Sequence, residues 1–312
     1  MHSKLASPAD AIRIHSSPIK RQSLADIETQ AARIAAMMGQ IRAAMLPPAS
    51  IKQAPPVSAA QLAELCGVDK SRIAYRLTRG DLPGGSMVGN RREWSMQDAR
   101  TWVRDFRQEH MRPAEAAGTT ITVANFKGGV AKTTSTVTLA QGLAMRGHRV
   151  LVVDLDPQGS ATTLFGVLPD AEVDHEHTAM LLFSGEQEDL DYAVRSSYWP
   201  GIDLVCAAPL LFGAEFALPA RQTRDPGFEF WRCLDRGLDK ARLDYDVILI
   251  DTPPALSYVT INALMAADGV IMPLPPSALD FASSAQFWDL FSDLCNQLIR
   301  SRGQVSFEAL RA

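Results

Sequence analysis

One stretch of the 312-residue chain narrows the possible folds more than any other: Asn125-Phe126-Lys127-Gly128-Gly129-Val130-Ala131-Lys132-Thr133-Thr134. A run rich in β-branched residues, Thr120 to Ala124, enters it, and an apolar-periodic segment, Thr133 to Arg146, leaves it. Strand, glycine-rich turn and helix start, in that order, predict a cradle for a polyphosphate. Glycines let the backbone approach the anion, successive N–H groups turn toward it, and the helix N-terminus adds positive potential. In such a loop Lys132 reaches the β- and γ-phosphates and the Thr133 hydroxyl sits on Mg²⁺. The expected nucleotide contacts are therefore Lys127, Gly128, Gly129, Val130, Ala131, Lys132, Thr133 and Thr134. The standard phosphate-loop pattern is only partly met, because Phe126 stands at its first glycine, Ala131 replaces the second, and a further lysine, Lys127, opens the loop.

Two later segments supply the rest of an α/β site. Arg149 to Asp154 reads as a buried parallel strand running into Asp154-Leu155-Asp156-Pro157-Gln158-Gly159, and Asp246 to Asp251 as another, followed by Thr252-Pro253-Pro254. Both strands end in carboxylates. In an open parallel sheet those ends face the crevice that binds ligand. The fold class expected is α/β: a P-loop NTPase with a mostly parallel sheet, preceded by an N-terminal helix and a winged helix-turn-helix domain.

The sequences Lys127-Gly128-Gly129-x-x-Lys132-Thr133, Asp154-x-Asp156-Pro157-Gln158 and Ile250-Asp251-Thr252-Pro253-Pro254 together resemble the deviant phosphate-loop ATPases of the ParA/MinD class, over about residues 119 to 300. Ala131 resembles the larger plasmid-partition branch. The resemblance implies that Lys127 crosses a dimer interface to the partner's nucleotide, that Asp156 orients the attacking water and that Asp251 holds a water on the metal. Catalytic roles thus fall on Lys127, Lys132 and Asp156, and metal roles on Thr133 and Asp251. It further implies ATP/ADP and Mg²⁺ as cofactors, an ATP-bound homodimer, weak intrinsic ATPase activity, a ParB-type centromere-binding partner, and a cytoplasmic, nucleoid-associated location.

Charge is unevenly divided. Residues 1 to 113 carry 17 Lys and Arg against 10 Asp and Glu, and the remainder 14 against 25, which sums to the overall −4. A basic amino-terminal part predicts a polyanionic partner. The four cysteines, Cys66, Cys206, Cys233 and Cys295, are far apart, so neither a disulfide framework nor a zinc site is indicated. The scattered cysteines fit a reducing cytoplasm, and no apolar run approaches the length of a membrane span.

Residues 1–22 read as a flexible arm. Over 23–47, Leu24, Ile27, Ala31, Ile34, Met38, Ile41 and Met45 form a heptad seam that predicts an amphipathic dimerisation helix, capped by Ser23 with Asp26 and stopped by Pro47-Pro48. Residues 55–112 predict the winged helix-turn-helix domain: two helices meeting at Gly67, a basic wing, and a helix capped by Ser95. Lys70, Ser71, Arg72, Tyr75 and Arg76 would face the DNA groove, with Arg91 and Arg92 near phosphates, on operator and non-specific DNA.

The ATPase domain is assigned to 118–312. Single helices are expected over Phe228 to Arg242 and over Asp280 to Arg300, the latter with Phe281, Phe287, Leu290, Phe291 and Leu294 as its apolar face. The resemblance implies a further strand and basic helices beyond this point, so the chain reads as an ATPase domain lacking its carboxyl-terminal part. The function expected is ATP-driven segregation of plasmid or chromosome copies with repression of its own operon. The alternative is a nucleotide-sensing transcriptional repressor with little or no ATPase activity.

Overall fold

The computed structural model describes residues 22–45 and 52–302. The chain divides into two units, Met1–Ile51 and Lys52–Ala312. In the first, helix α1 spans Leu24–Met45. Its start is held as the sequence predicts: the Asp26 N–H donates to Ser23 Oγ at 3.2 Å, and the Ser23 N–H donates to the Asp26 carboxylate at 2.9 Å. Leu24, Ile27 and Ile34 of the heptad seam are exposed. The expected arm and the Pro47-Pro48 stop fall outside the described residues, apart from Gln22.

The second unit begins with a small subdomain. Strand β1 (Val57–Ser58), helices α2 (Ala59–Cys66) and α3 (Lys70–Arg79), strands β2 (Ser86–Val88) and β3 (Arg91–Trp94), and helix α4 (Met96–Phe106) follow in order. Ser58 and Gln61 form a reciprocal cap on α2, and the Ser95 hydroxyl caps α4. The three short strands pair antiparallel in the order β1-β3-β2. Leu62, Ile73, Trp94 and Trp102 fill the centre, and both indole N–H groups donate to the Pro83 carbonyl at 2.9 Å. That shared acceptor fastens the loop before the hairpin to the helices.

The larger part carries, in order, β4 (Thr119–Val123), α5 (Lys132–Met145), β5 (Val150–Asp154), α6 (Ser160–Leu164), α7 (Met180–Ser184), β6 (Arg195–Ser196), β7 (Ile202–Val205), α8 (Ala214–Arg224), α9 (Cys233–Gly237), α10 (Ala241–Asp244), β8 (Val247–Asp251), α11 (Tyr258–Met265), β9 (Gly269–Ile271) and α12 (Ala278–Arg302). Six strands form one sheet in the order β6-β7-β5-β8-β4-β9, with β6 antiparallel to β7 and every other pair parallel. Alternate residues feed opposite layers, as the period of two requires. Leu151, Val153, Ile248 and Ile250 face a core built with α7, α8, α9 and α11, while Val150, Val152 and Leu249 face α5. The core on the α5 side continues into Leu62, Ile73, Trp94 and Trp102, so the small subdomain shares it.

Register fixes the site. Val123 lies opposite Asp251, and Asp154 also lies opposite Asp251, so the ends of β4, β8 and β5 stand side by side.

Two expectations about helices fail. Residues 228–242 are not one helix but a 3-10 turn, Phe230–Arg232, and the short α9 and α10. The chain breaks at Gly237, where a Cβ would lie 2.5 Å from Leu182 and whose carbonyl accepts from the Leu190 N–H at 3.1 Å. The Leu190 N–H thus takes the carbonyl that a continuing helix would offer to the Ala241 N–H. In α12, Phe287 and Phe291 are buried as predicted, but Leu290 is exposed; the Phe281 side chain lies outside what is described. Helices α7 and α8 had no counterpart in the sequence reading.

Candidate functional site

The loop between β4 and α5 is shaped by side chains as much as by glycine. Asn125, buried, donates from Nδ2 to the Pro273 carbonyl at 3.0 Å and accepts the Lys127 N–H on Oδ1 at 3.0 Å. Phe126 packs on Phe287 of α12, ring centroids 4.5 Å apart. The first-glycine position therefore anchors the loop to the last helix. Gly129 and Ala131 both adopt left-handed backbone, φ +73° and +66°, and Ala131 is the one non-glycine residue to do so among the described residues. That conformation turns the backbone into α5 and costs alanine roughly 1–2 kcal/mol.

Lys132 opens α5 and is buried, its Nζ donating to the Lys127 carbonyl at 2.9 Å. Burial pushes its ammonium pKa down, and the carboxylates of Asp251 and Asp156 oppose that. Asp251 is fully buried at the end of β8. Its Oδ1 accepts from the Thr136 hydroxyl at 3.2 Å, while its Oδ2 is buried with no hydrogen-bond partner. Burial pushes its carboxyl up, and hydroxyls of Thr133 and Thr136 hold it down. A buried carboxylate oxygen without a partner, beside a threonine hydroxyl, is a hard oxygen donor set of the kind Mg²⁺ takes, so the residues fit such an ion.

An open cleft of about 690 Å³ lies over these groups, lined by Gly128 to Thr134, Asp156, Ser160, Thr163, Leu164 and Pro254. Every predicted nucleotide contact from Gly128 onward lines it, and Lys127 lies next to it in the loop. Asp156 is half-buried, its N–H donating to Asp154 Oδ1 at 3.2 Å and its own Oδ1 accepting from the Gln158 N–H at 3.0 Å. Sequence reasoning missed Asn125 and Thr136 as shaping residues, although both stand in or beside the loop motif.

The other predicted site lies on α3 and the hairpin. Lys70, Ser71, Arg72, Tyr75, Arg91 and Arg92 are exposed, Tyr75 at 63 %. Arg92 also donates to the Gly84 carbonyl. Arg76 is committed within the subdomain: it pairs with Asp105 at 3.0 Å and Asp81 at 3.2 Å and lies over the Phe106 ring. Arg76, held by these carboxylates, is the one predicted contact of the seven that is not exposed.

This subdomain is fastened to the nucleotide part by arginines. Arg100, buried, donates from one guanidinium nitrogen to the carbonyls of Ala144 and His148, at 2.6 and 3.0 Å, at the C-terminal end of α5. Arg104 reaches the Gly147 carbonyl, and Arg112 pairs with Asp246 at 3.1 Å. Burial alone would raise the Asp246 carboxyl, but the Arg149 N–H, Arg112 and the charges of Arg149 and Arg104 outweigh it and hold it below the usual range.

A mostly parallel sheet with a phosphate loop after one central strand and carboxylates ending two neighbours defines a P-loop nucleotide-binding protein. Comparison with known proteins narrows this. The model of the AAA domain family matches residues 118–301. Protein SopA of Escherichia coli K12 is 35% identical over 246 residues, covering 75% of this chain and 62% of SopA. The sporulation initiation inhibitor protein Soj of Bacillus subtilis is 37% identical over 157 residues, covering 50% of this chain and 58% of Soj. Among solved structures, cobyrinic acid a,c-diamide synthase from Mycobacterium smegmatis with bound ADP and magnesium is 37% identical over 57% of this chain and 69% of its own, with a TM-score of 0.50. A structure described as a partition protein shares the fold over 90% of this chain and 80% of its own, at 22% identity and a TM-score of 0.63. The chain belongs to this AAA domain family and is of the ParA/MinD type. It spans about 62% of the length of SopA.

Proposed function

We propose that this protein is a ParA-type partition ATPase: it binds ATP with Mg²⁺, dimerises on it, binds DNA, and segregates plasmid or chromosome copies together with a ParB-type partner. The observation that carries the reading is the convergence of Gly128 to Thr134 and Asp156 on one cleft, with Asp251 behind it presenting a buried, unpartnered carboxylate oxygen.

The residues take these roles. Backbone N–H groups from Gly129 to Thr134 and the start of α5 bind the β- and γ-phosphates, and Lys132 exchanges the Lys127 carbonyl for a phosphate oxygen. Thr133 and Asp251 would hold Mg²⁺, which when bound neutralises charge on the phosphate oxygens. Asp156 orients the attacking water from across the cleft. Lys127, from the partner subunit of an ATP-bound dimer, adds positive charge where it develops in phosphoryl transfer. Catalysis of this kind needs positioning and charge rather than a strong base.

Residues 55–112 are read as a winged helix-turn-helix domain that binds the operator of its own operon, with α3 in the groove and the β2–β3 hairpin on the backbone. Exposed Lys70, Ser71, Arg72, Tyr75, Arg91 and Arg92 support that reading. The exposed seam of α1 supports pairing of two chains through that helix. The second reading, a nucleotide-sensing repressor, draws on the arginine fastening between α4 and α5: the helix that starts at the phosphate loop ends on the DNA-binding subdomain.

Light scattering with Mg²⁺-ATP tests the proposal. Asp156→Ala is expected to accumulate as an ATP-bound dimer and Lys127→Ala to bind ATP as a monomer or, through α1 alone, as a dimer insensitive to nucleotide. Identical behaviour of wild type and both variants with and without ATP would refute it.

A further inference from the structure

Asp154, at the end of β5, has no part in the roles above, yet it is fully buried and fully engaged. Its Oδ1 accepts from the Asp156 N–H at 3.2 Å; its Oδ2 accepts from the Thr162 N–H at 2.8 Å and from the Thr162 hydroxyl at 2.7 Å. The same hydroxyl accepts from the Ala207 N–H at 2.9 Å. One threonine thus joins the end of β5, the start of α6 and the segment leaving β7. The loop between is closed from the far side at Gly159, where a Cβ would lie 2.5 Å from Pro169 and 2.8 Å from the Ala207 carbonyl. Asp156, Ser160, Thr163 and Leu164 of this region line the cleft, whereas Asp154 and Thr162, both wholly buried, lie behind it.

We propose that Thr162 and Asp154 are positioning residues for hydrolysis, holding the 155–160 loop so that the Asp156 carboxylate meets the attacking water. This rests on the ATPase reading above. The Thr162 hydroxyl must donate to a carboxylate and accept from an amide at once, which among side chains of this size only threonine and serine do. The phosphate loop supplies nucleotide affinity and is held separately, by the hydrogen bonds of Asn125 and the packing of Phe126 on Phe287. Loosening the Asp156 loop therefore acts on kcat and leaves nucleotide binding in place.

The test compares Thr162→Val, which keeps shape and loses both hydroxyl bonds, with Thr162→Ser, which keeps them, in the full chain. Three quantities are measured: ATP turnover with Mg²⁺, the Kd of a fluorescent ATP analogue, and amide hydrogen exchange over residues 155–160. Thr162→Val is expected to lower kcat roughly tenfold to hundredfold, to change Kd by less than about twofold, and to speed exchange in the loop. Thr162→Ser is expected to restore all three. Unchanged kcat in Thr162→Val, a fall of affinity in step with kcat, or unchanged exchange overturns the proposal. A wild-type chain without turnover removes the ATPase reading by itself, and the exchange data then decide alone whether Thr162 holds the loop.

Discussion

Gly201, just before β7, sits against the guanidinium of Arg100, and a Cβ built there falls inside that group; its φ is +85°. Gly201→Ala therefore imposes two costs. Left-handed backbone costs alanine roughly 1–2 kcal/mol. Displacing Arg100 breaks its bonds to Ala144 and His148, each about 1.5–3 kcal/mol for a charged donor, of which rehydration of the freed guanidinium returns part. The sum expected is about 3–5 kcal/mol. In an Arg100→Ala background the clash is gone, so Gly201→Ala should cost only the backbone share, about 1–2 kcal/mol. Urea unfolding followed by tryptophan fluorescence reports this locus, because Trp94, Trp102 and Trp199 are buried in the core shared by the two parts. A double-mutant coupling of about 2–3 kcal/mol supports the interlock. Additive effects, within about 0.5 kcal/mol, would refute it.

Other outcomes follow from the same geometry. Ala131→Gly removes left-handed strain and should stabilise the chain by about 0.5–1 kcal/mol in the same assay, after the entropy glycine adds to the unfolded state. Asp246 has a folded pKa below its unfolded one, so the stability it contributes is present above the unfolded pKa and is lost as pH falls through the folded value; Asp246→Asn should flatten the fall in stability seen below roughly pH 4. Arg91→Ala, at a phosphate, should weaken DNA binding on all sequences and reduce its salt slope by about 1, whereas Arg72→Ala, in the groove, should cost about 1–3 kcal/mol on the operator and relax specificity. Arg76→Ala, which breaks pairs with Asp81 and Asp105, should instead lower the melting temperature of the subdomain.

Most of the framework was legible in the sequence because it rests on local signals. Buried strands ending in Asp154 and Asp251, the glycine-rich loop and the Ser23 and Ser95 helix starts each carry their pattern within a few residues. What escaped depends on contacts far apart in the chain. At Gly237 the carbonyl bonds the N–H of Leu190, some fifty residues away, rather than the next turn of its own helix. The exposed face of α3 followed from helical spacing, yet Arg76 turned inward because Asp105 of α4 lies behind it. Arg100 carries no local signal of its role, which only its burial against the end of α5 reveals. Ala131 stands in the sequence only as a replacement for glycine; the structure adds that it bears the left-handed turn itself.

Steady-state ATP hydrolysis with Mg²⁺, with and without non-specific duplex DNA, tests the central claim most directly when wild type is set beside Lys132→Ala. The account predicts slow turnover that DNA stimulates and that the variant lacks. A folded wild-type chain that binds DNA yet hydrolyses no more ATP than Lys132→Ala would contradict it.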